Sequence, residues 1–139
     1  MPVLVDTNVL LDVLSADPAW GSSSRTAIEA SLDAGVVVLN PIIYSELASR
    51  YDTIEALDDA VPPDVFQREA LPWDAAFLAG QAHTAHRRRG GSRERTVPDF
   101  LIGAHATVRG YRLLTRDPRR YRKDYPRLDV ITPQDVADV

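Results

Sequence analysis

The chain has 139 residues, 45% of them hydrophobic and 26% charged, a size and composition suited to one globular domain spanning residues 1–139. It contains no cysteine, which excludes disulfides, thiolate zinc sites and cysteine nucleophiles. Its net charge of −4 hides a division: residues 1–86 carry 13 acids and 3 arginines, and residues 87–139 carry 13 bases and 7 acids, so the C-terminal part is suited to face a polyanion.

In chain order, Val3–Val5 is a short β-branched apolar run that reads as a buried strand, followed by helical spacing from Val9 to Leu14 and again from Ala27 to Leu32. Ser22–Ser24 are placed to cap the second of these helices. Val36–Leu39 reads as the next strand, and Pro41 suits the first turn of a helix running through Ile42 to Leu47. Glu69–Leu71 offers a further short strand amid Pro62, Pro63 and Pro72. Helical spacing returns from Ala75 to Ala85 and from Phe100 to Val108, and strands follow at Arg112–Leu114 and Leu128–Ile131. Between the last two long helices, residues 87–95 form a basic, glycine-bearing surface loop. Gly35 and Gly110 suit helix C-termini ahead of strands. Strands alternating with helices predict an α/β domain with a mainly parallel sheet. No run approaches the ~20 apolar residues that span a bilayer, and no basic leader precedes an apolar segment, so a cytoplasmic, membrane-free protein is expected.

Four acids stand out by position. Asp6 follows a strand expected to be buried on both faces, and a carboxylate there is costly unless it is paired or used. Asp117 lies just beyond another strand end, after Leu114-Thr115-Arg116. Ligands of open parallel sheets bind outside the carboxyl ends of the strands, so Asp6 and Asp117 converge if their strands are neighbours. Asp99 lies in Thr96-Val97-Pro98-Asp99, where a helix-capping role alone explains it. Glu46 shares a helix face with the apolar Ile42 and Ile43, beside the core rather than on the solvent side. Taken singly, Asp99, Asp117 and Glu46 read equally well as a cap, a turn starter and a helix-border acid. Together, acids at one sheet edge repel unless cations neutralise them. Oxygen ligands without cysteine favour hard ions, Mg²⁺ or Mn²⁺, and such ions support phosphodiester or phosphomonoester hydrolysis.

Other chemistries lack their signatures. There is no phosphate-binding Gly-x-x-x-x-Gly-Lys loop, no Gly-x-Ser-x-Gly elbow and no dinucleotide glycine fingerprint. His83, His86 and His105 show no zinc-ligand spacing, and His83 and His86 read as surface or interfacial residues beside the arginine loop.

Val5-Asp6-Thr7-Asn8-Val9-Leu10, Ser45-Glu46-Leu47, Pro98-Asp99-Phe100-Leu101-Ile102-Gly103-Ala104-His105-Ala106 and Leu114-Thr115-Arg116-Asp117 together resemble the PIN-domain family, and within it the VapC-type toxins of bacterial toxin–antitoxin pairs. The resemblance spans nearly the whole chain in the family's order. It implies a compact α/β/α sandwich that cleaves RNA with Mg²⁺ or Mn²⁺, is inhibited by a cognate antitoxin and forms homodimers. It further implies that Asp6, Asp99 and Asp117 hold the metal and that Glu46 positions the attacking water or a second ion. Thr7, Asn8 and Thr115 would hydrogen-bond these carboxylates. Arg87, Arg88, Arg89, Arg93, Arg95 and Arg116, with Arg119 and Arg120, would then guide an RNA backbone or meet an acidic stretch of the antitoxin. Residues 50–72 match no motif.

Two alternatives remain open on the residues. A phosphatase of the haloacid dehalogenase type also opens with a strand and an Asp, but it needs a second Asp where this chain has Asn8, and a lysine where Lys123 is the only candidate. A non-catalytic metal- and RNA- or protein-binding module would keep the acids without turnover.

Overall fold

The computed structural model describes residues 1–91 and 96–137. The elements run β1 (Val3–Val5), α1 (Thr7–Leu14), α2 (Gly21–Ala34), β2 (Val37–Leu39), α3 (Pro41–Ala48), α4 (Ile54–Ala60) and β3 (Gln67–Arg68). Then follow α5 (Trp73–Arg88), α6 (Val97–Arg109), β4 (Arg112–Leu114), α7 (Arg119–Arg122), β5 (Val130–Ile131) and α8 (Pro133–Ala137).

The five strands form one sheet in the order β3-β2-β1-β4-β5, and every pairing is parallel. Helices flank the sheet: α1, α2 and α8 pack in sequence against one another, while α6 packs on α5, α3 and α7. β1 and β2 are buried at every residue, which is why they appear in the sequence as unbroken apolar runs rather than alternating ones. Val3 pairs with Val37 on one side and Arg112 on the other, so β1 is the centre of the sheet. From β1 the chain proceeds through β2 to β3 on one side, then crosses to β4 and β5 on the other. The order therefore reverses between β1 and β4, and a ligand crevice belongs at the carboxyl ends of those two strands.

Three local expectations are corrected. The strand expected at Glu69–Leu71 lies instead at Gln67–Arg68, an exposed edge whose polar residues carry no apolar signal. Pairing ends where the Glu69 amide donates to the Leu39 carbonyl, and Leu71-Pro72 then turns into α5. Ser22–Ser24 do not cap α2. Its entry is held by Asp17, whose carboxylate accepts from the amides of Ala19 and Trp20. His86 is buried rather than superficial, its ring edge-on to Phe100 at 5.5 Å. Gly110 does end α6 in the left-handed conformation, with φ of 68°.

His105, fully buried on α6, ties the carboxyl ends of β2 and β3 to that helix. Asn40 caps α3 by accepting from the Ile43 amide, and its Nδ2 lies 3.0 Å from His105 Nδ1. Donation by the amide leaves the proton on Nε2, which faces Glu69 Oε1 at 3.4 Å. Burial holds the His105 imidazole below its ordinary pKa, in keeping with a neutral ring. Glu69 is held in turn by Tyr111 at 2.7 Å and Arg109 at 2.8 Å. Asn40→Ala removes a helix cap and strands a buried ring nitrogen, and these losses together are worth about 2–4 kcal/mol. A fall of that size in denaturant unfolding free energy is the expected result.

Candidate active site

Each of the four acids reaches the switch point by a separate element. β1 delivers Asp6 at its carboxyl end, where the residue also caps α1. Its Oδ1 accepts from the Thr7 amide at 2.8 Å; its Oδ2 accepts from the Thr115 hydroxyl at 2.7 Å and the Tyr121 hydroxyl at 2.9 Å. Only 4% of the residue is exposed. Burial raises the Asp6 pKa to about 6 against the opposing effect of these hydrogen bonds, and the negative charge of Asp99 raises it further.

Asp99 opens α6 as the acid of a capping box. Its Oδ2 accepts from the Thr96 backbone amide and hydroxyl, both at 3.2 Å. The capping role read from the sequence is therefore real, and it leaves Oδ1 directed elsewhere, to Arg120 Nη1 at 3.2 Å. Asp117 follows β4, with its amide bonded to the Thr115 hydroxyl oxygen at 3.0 Å and its Oδ2 3.2 Å from Arg120 Nε. Glu46 on α3 accepts from the Thr7 hydroxyl at 2.7 Å. The four acids are thus joined without a break: Glu46 to Thr7, Thr7 to Asp6, Asp6 to Thr115, Thr115 to Asp117, and Asp117 through Arg120 to Asp99.

Of the three polar residues expected to hydrogen-bond the acids, Thr7 and Thr115 contact them directly and Asn8 reaches them only through Thr115. Thr7 spans Asp6 and Glu46, and Thr115 spans Asp6 and Asp117. Asn8 donates to Thr115 at 3.4 Å and accepts from the Arg116 amide at 3.3 Å. These bonds fix the loop after β4 against the start of α1.

The arginines divide. Arg87 and Arg88 are exposed near the end of α5, and Arg89 pairs with the buried Asp124 at 2.7 Å. Arg116 is committed within the fold: its Nε is 2.8 Å from buried Asp12, which also accepts from Ser24, and its guanidinium lies 5.0 Å from the Trp20 ring centroid. Arg93 and Arg95 lie outside the described residues.

Sequence reasoning missed Tyr121, and it placed Arg120 only among the arginines that would guide RNA or meet the antitoxin, not against the acids. Tyr121, fully buried on α7, donates to Asp6, and burial together with the charges of Asp6 and Asp99 raises its phenol pKa well above the ordinary value. No local pattern announces that contact. Arg120 had a signal, since it stands three residues after Asp117, a spacing at which helical side chains meet.

The donor set consists of carboxylates with hydroxyl and amide support, which fits a hard divalent cation and no soft one. Among the described residues, no three His, Cys, Asp or Glu side chains stand close enough to surround an ion as they are placed, and Arg120 lies between two of the four acids.

The chain is thus an α/β protein with a five-stranded parallel sheet and a set of linked acids at its switch point. The PIN domain model matches residues 3–125, and the chain belongs to the PIN-domain family. No curated protein matches the chain. Among solved structures, a chain in VapBC2 from Rickettsia felis, bound to a DNA fragment from their promoter, superposes with a TM-score of 0.74 at 18% identity, over 95% of this chain and 98% of that one. VapBC-1 from nontypeable Haemophilus influenzae gives 0.74 at 16% identity, over 96% and 99%. A toxin–antitoxin complex from Klebsiella pneumoniae gives 0.60 at 23% identity, over 94% and 97%. At these identities the likeness is one of fold.

Proposed function

We propose that this PIN domain is the toxin of a toxin–antitoxin pair, a Mg²⁺- or Mn²⁺-dependent endoribonuclease restrained by a cognate antitoxin. The observation that carries the reading is Asp6, a buried carboxylate held at the sheet's switch point and joined by hydrogen bonds and ion pairs to Glu46, Asp99 and Asp117. That the fold is shared with chains of toxin–antitoxin complexes supports the module; a cytoplasmic setting and a homodimeric state belong to the same proposal.

Asp6, Asp99 and Asp117 are the residues that would hold the cation, which when bound supplies charge to polarise a phosphoryl oxygen and to activate water. Thr115 and Tyr121 fix the orientation of Asp6 Oδ2, while the Thr7 amide fixes Oδ1. Glu46 is linked to Asp6 through Thr7, whose hydroxyl donates to Glu46 and whose amide donates to Asp6, and in this reading Glu46 accepts a proton from the attacking water. Arg87 and Arg88 keep their charges exposed and serve the RNA backbone, a role that Arg116 is not free to share. Arg93 and Arg95, outside the described residues, belong to the same basic stretch of sequence. The haloacid dehalogenase reading is disfavoured because Asn8 spends both amide atoms on Thr115 and Arg116.

Induced expression in a bacterial host tests the proposal. The wild-type chain is expected to arrest growth and to leave new, discrete RNA ends, and Glu46→Gln to do neither. Unimpeded growth with an unchanged RNA end map would overturn it.

A further inference from the structure

The acid site contains a cation of its own. The Arg120 guanidinium spans two carboxylates, with Nη1 3.2 Å from Asp99 Oδ1 and Nε 3.2 Å from Asp117 Oδ2. We propose that Arg120 is an internal counter-cation which alternates with a divalent ion at Asp99 and Asp117, so that the chain binds the ion more weakly than its carboxylates alone would. The inference rests on the reading of these acids as a cation site.

Four observations carry it. Among the described residues, Arg120 is the one cationic side chain in contact with Asp6, Asp99 or Asp117. Its contacts form a bridge between two acids, not a fork on one, and each is longer than the ~2.7–2.9 Å of a strong charge-assisted bond. The Arg120 side chain is 33% exposed, which leaves its tip a path to solvent. Its backbone is pinned, however, because the adjoining Tyr121 is buried and bonded to Asp6. The flexible side chain can therefore swing out while α7 stays in place.

The physical consequence is competition. Without the guanidinium, three neighbouring acids repel one another and the ion-free fold is less stable. A divalent ion arriving at the wild-type site must displace one favourable charge, whereas in a neutral variant it displaces none. Removing Arg120 should thus tighten ion binding, the reverse of what loss of a structural residue would do.

Calorimetric titration of MnCl2 into the RNA-free protein tests this. Arg120→Gln is expected to bind Mn²⁺ with a Kd about fivefold or more below wild type, in line with the loss of one competing ion pair. Arg120→Lys keeps the charge on a single point that reaches one acid at a time, so its Kd should fall between the two, and it provides a second reading should the glutamine variant not fold. Asp99→Asn should bind more weakly than wild type. Equal or weaker binding by both Arg120 variants, with Asp99→Asn still impaired, would overturn the counter-cation while leaving the cation site intact. Absence of Mn²⁺ binding in wild type and all variants would overturn both.

Discussion

Asp6→Asn is expected to make the protein more stable in EDTA at pH 8 while lowering RNA cleavage about a thousandfold, the scale on which loss of a preorganised electrostatic group acts. The Asp6 carboxyl has a folded pKa of about 6 against an ordinary 3.8, because burial disfavours its charge. A raised acid pKa means that the fold prefers the neutral form. Relative to Asp6, stability is greatest below about pH 4, falls as pH rises through 6, and carries its full penalty above that. Two pKa units correspond to about 3 kcal/mol, and asparagine imitates the neutral form at every pH. Some of that gain is offset where the amide cannot accept both hydroxyls, so a net of about 1–3 kcal/mol is expected at pH 8. The difference from wild type should vanish towards pH 4. Thermal unfolding of both proteins in EDTA across pH 4–8 measures it, and a less stable variant at pH 8 would mean that Asp6 serves the fold rather than a cation.

Gly103→Ala, by contrast, is expected to destabilise the fold and the site together. Gly103 is buried in α6, and a Cβ added there would stand 2.5 Å from Tyr125 Cε2 and 3.0 Å from Tyr121 Cδ1. Both rings are buried, and Tyr125 is tied to the Phe100 carbonyl by its hydroxyl at 2.6 Å, so neither can step aside cheaply. Overpacking of this kind costs about 1–3 kcal/mol. A displaced Tyr121 also loses its bond to Asp6, so RNA cleavage should fall further than stability does. Denaturant unfolding and RNA cleavage measured on the same preparation separate the two effects. An unchanged unfolding midpoint would show that the rings are freer than their packing implies.

The residues that fix the site were legible where burial or capping leaves a local mark. Val3-Leu4-Val5 is apolar at every position because β1 is covered on both faces, and the acid after it is conspicuous for that reason. Thr96, Pro98 and Asp99 announce a helix start, and the same Asp99 then serves the site with its second oxygen. The parallel sheet followed from strands alternating with helices. The PIN resemblance, which the match over residues 3–125 bears out, supplied the grouping of acids that no single motif could.

What stayed hidden depends on long-range contact or on weak local signal. β3 is a two-residue exposed edge, and α4 buries only Leu57, so neither leaves a hydrophobic period. Tyr121 reaches Asp6 across 115 positions of sequence, and Arg116 finds Asp12 only when the loop after β4 lies against α1. The arginines of residues 87–139 look alike as a string of charges. The fold distinguishes them: Arg116 is bound to a core acid, Arg89 to Asp124, Arg120 to the site itself, and Arg87 and Arg88 face solvent.

Cleavage of RNA by the purified chain in matched reactions with Mg²⁺, with EDTA, and with EDTA followed by excess Mn²⁺ tests the central claim most directly. Cleavage with Mg²⁺, its loss in EDTA and its return with Mn²⁺ are the predicted results. Equal cleavage in EDTA would contradict the account.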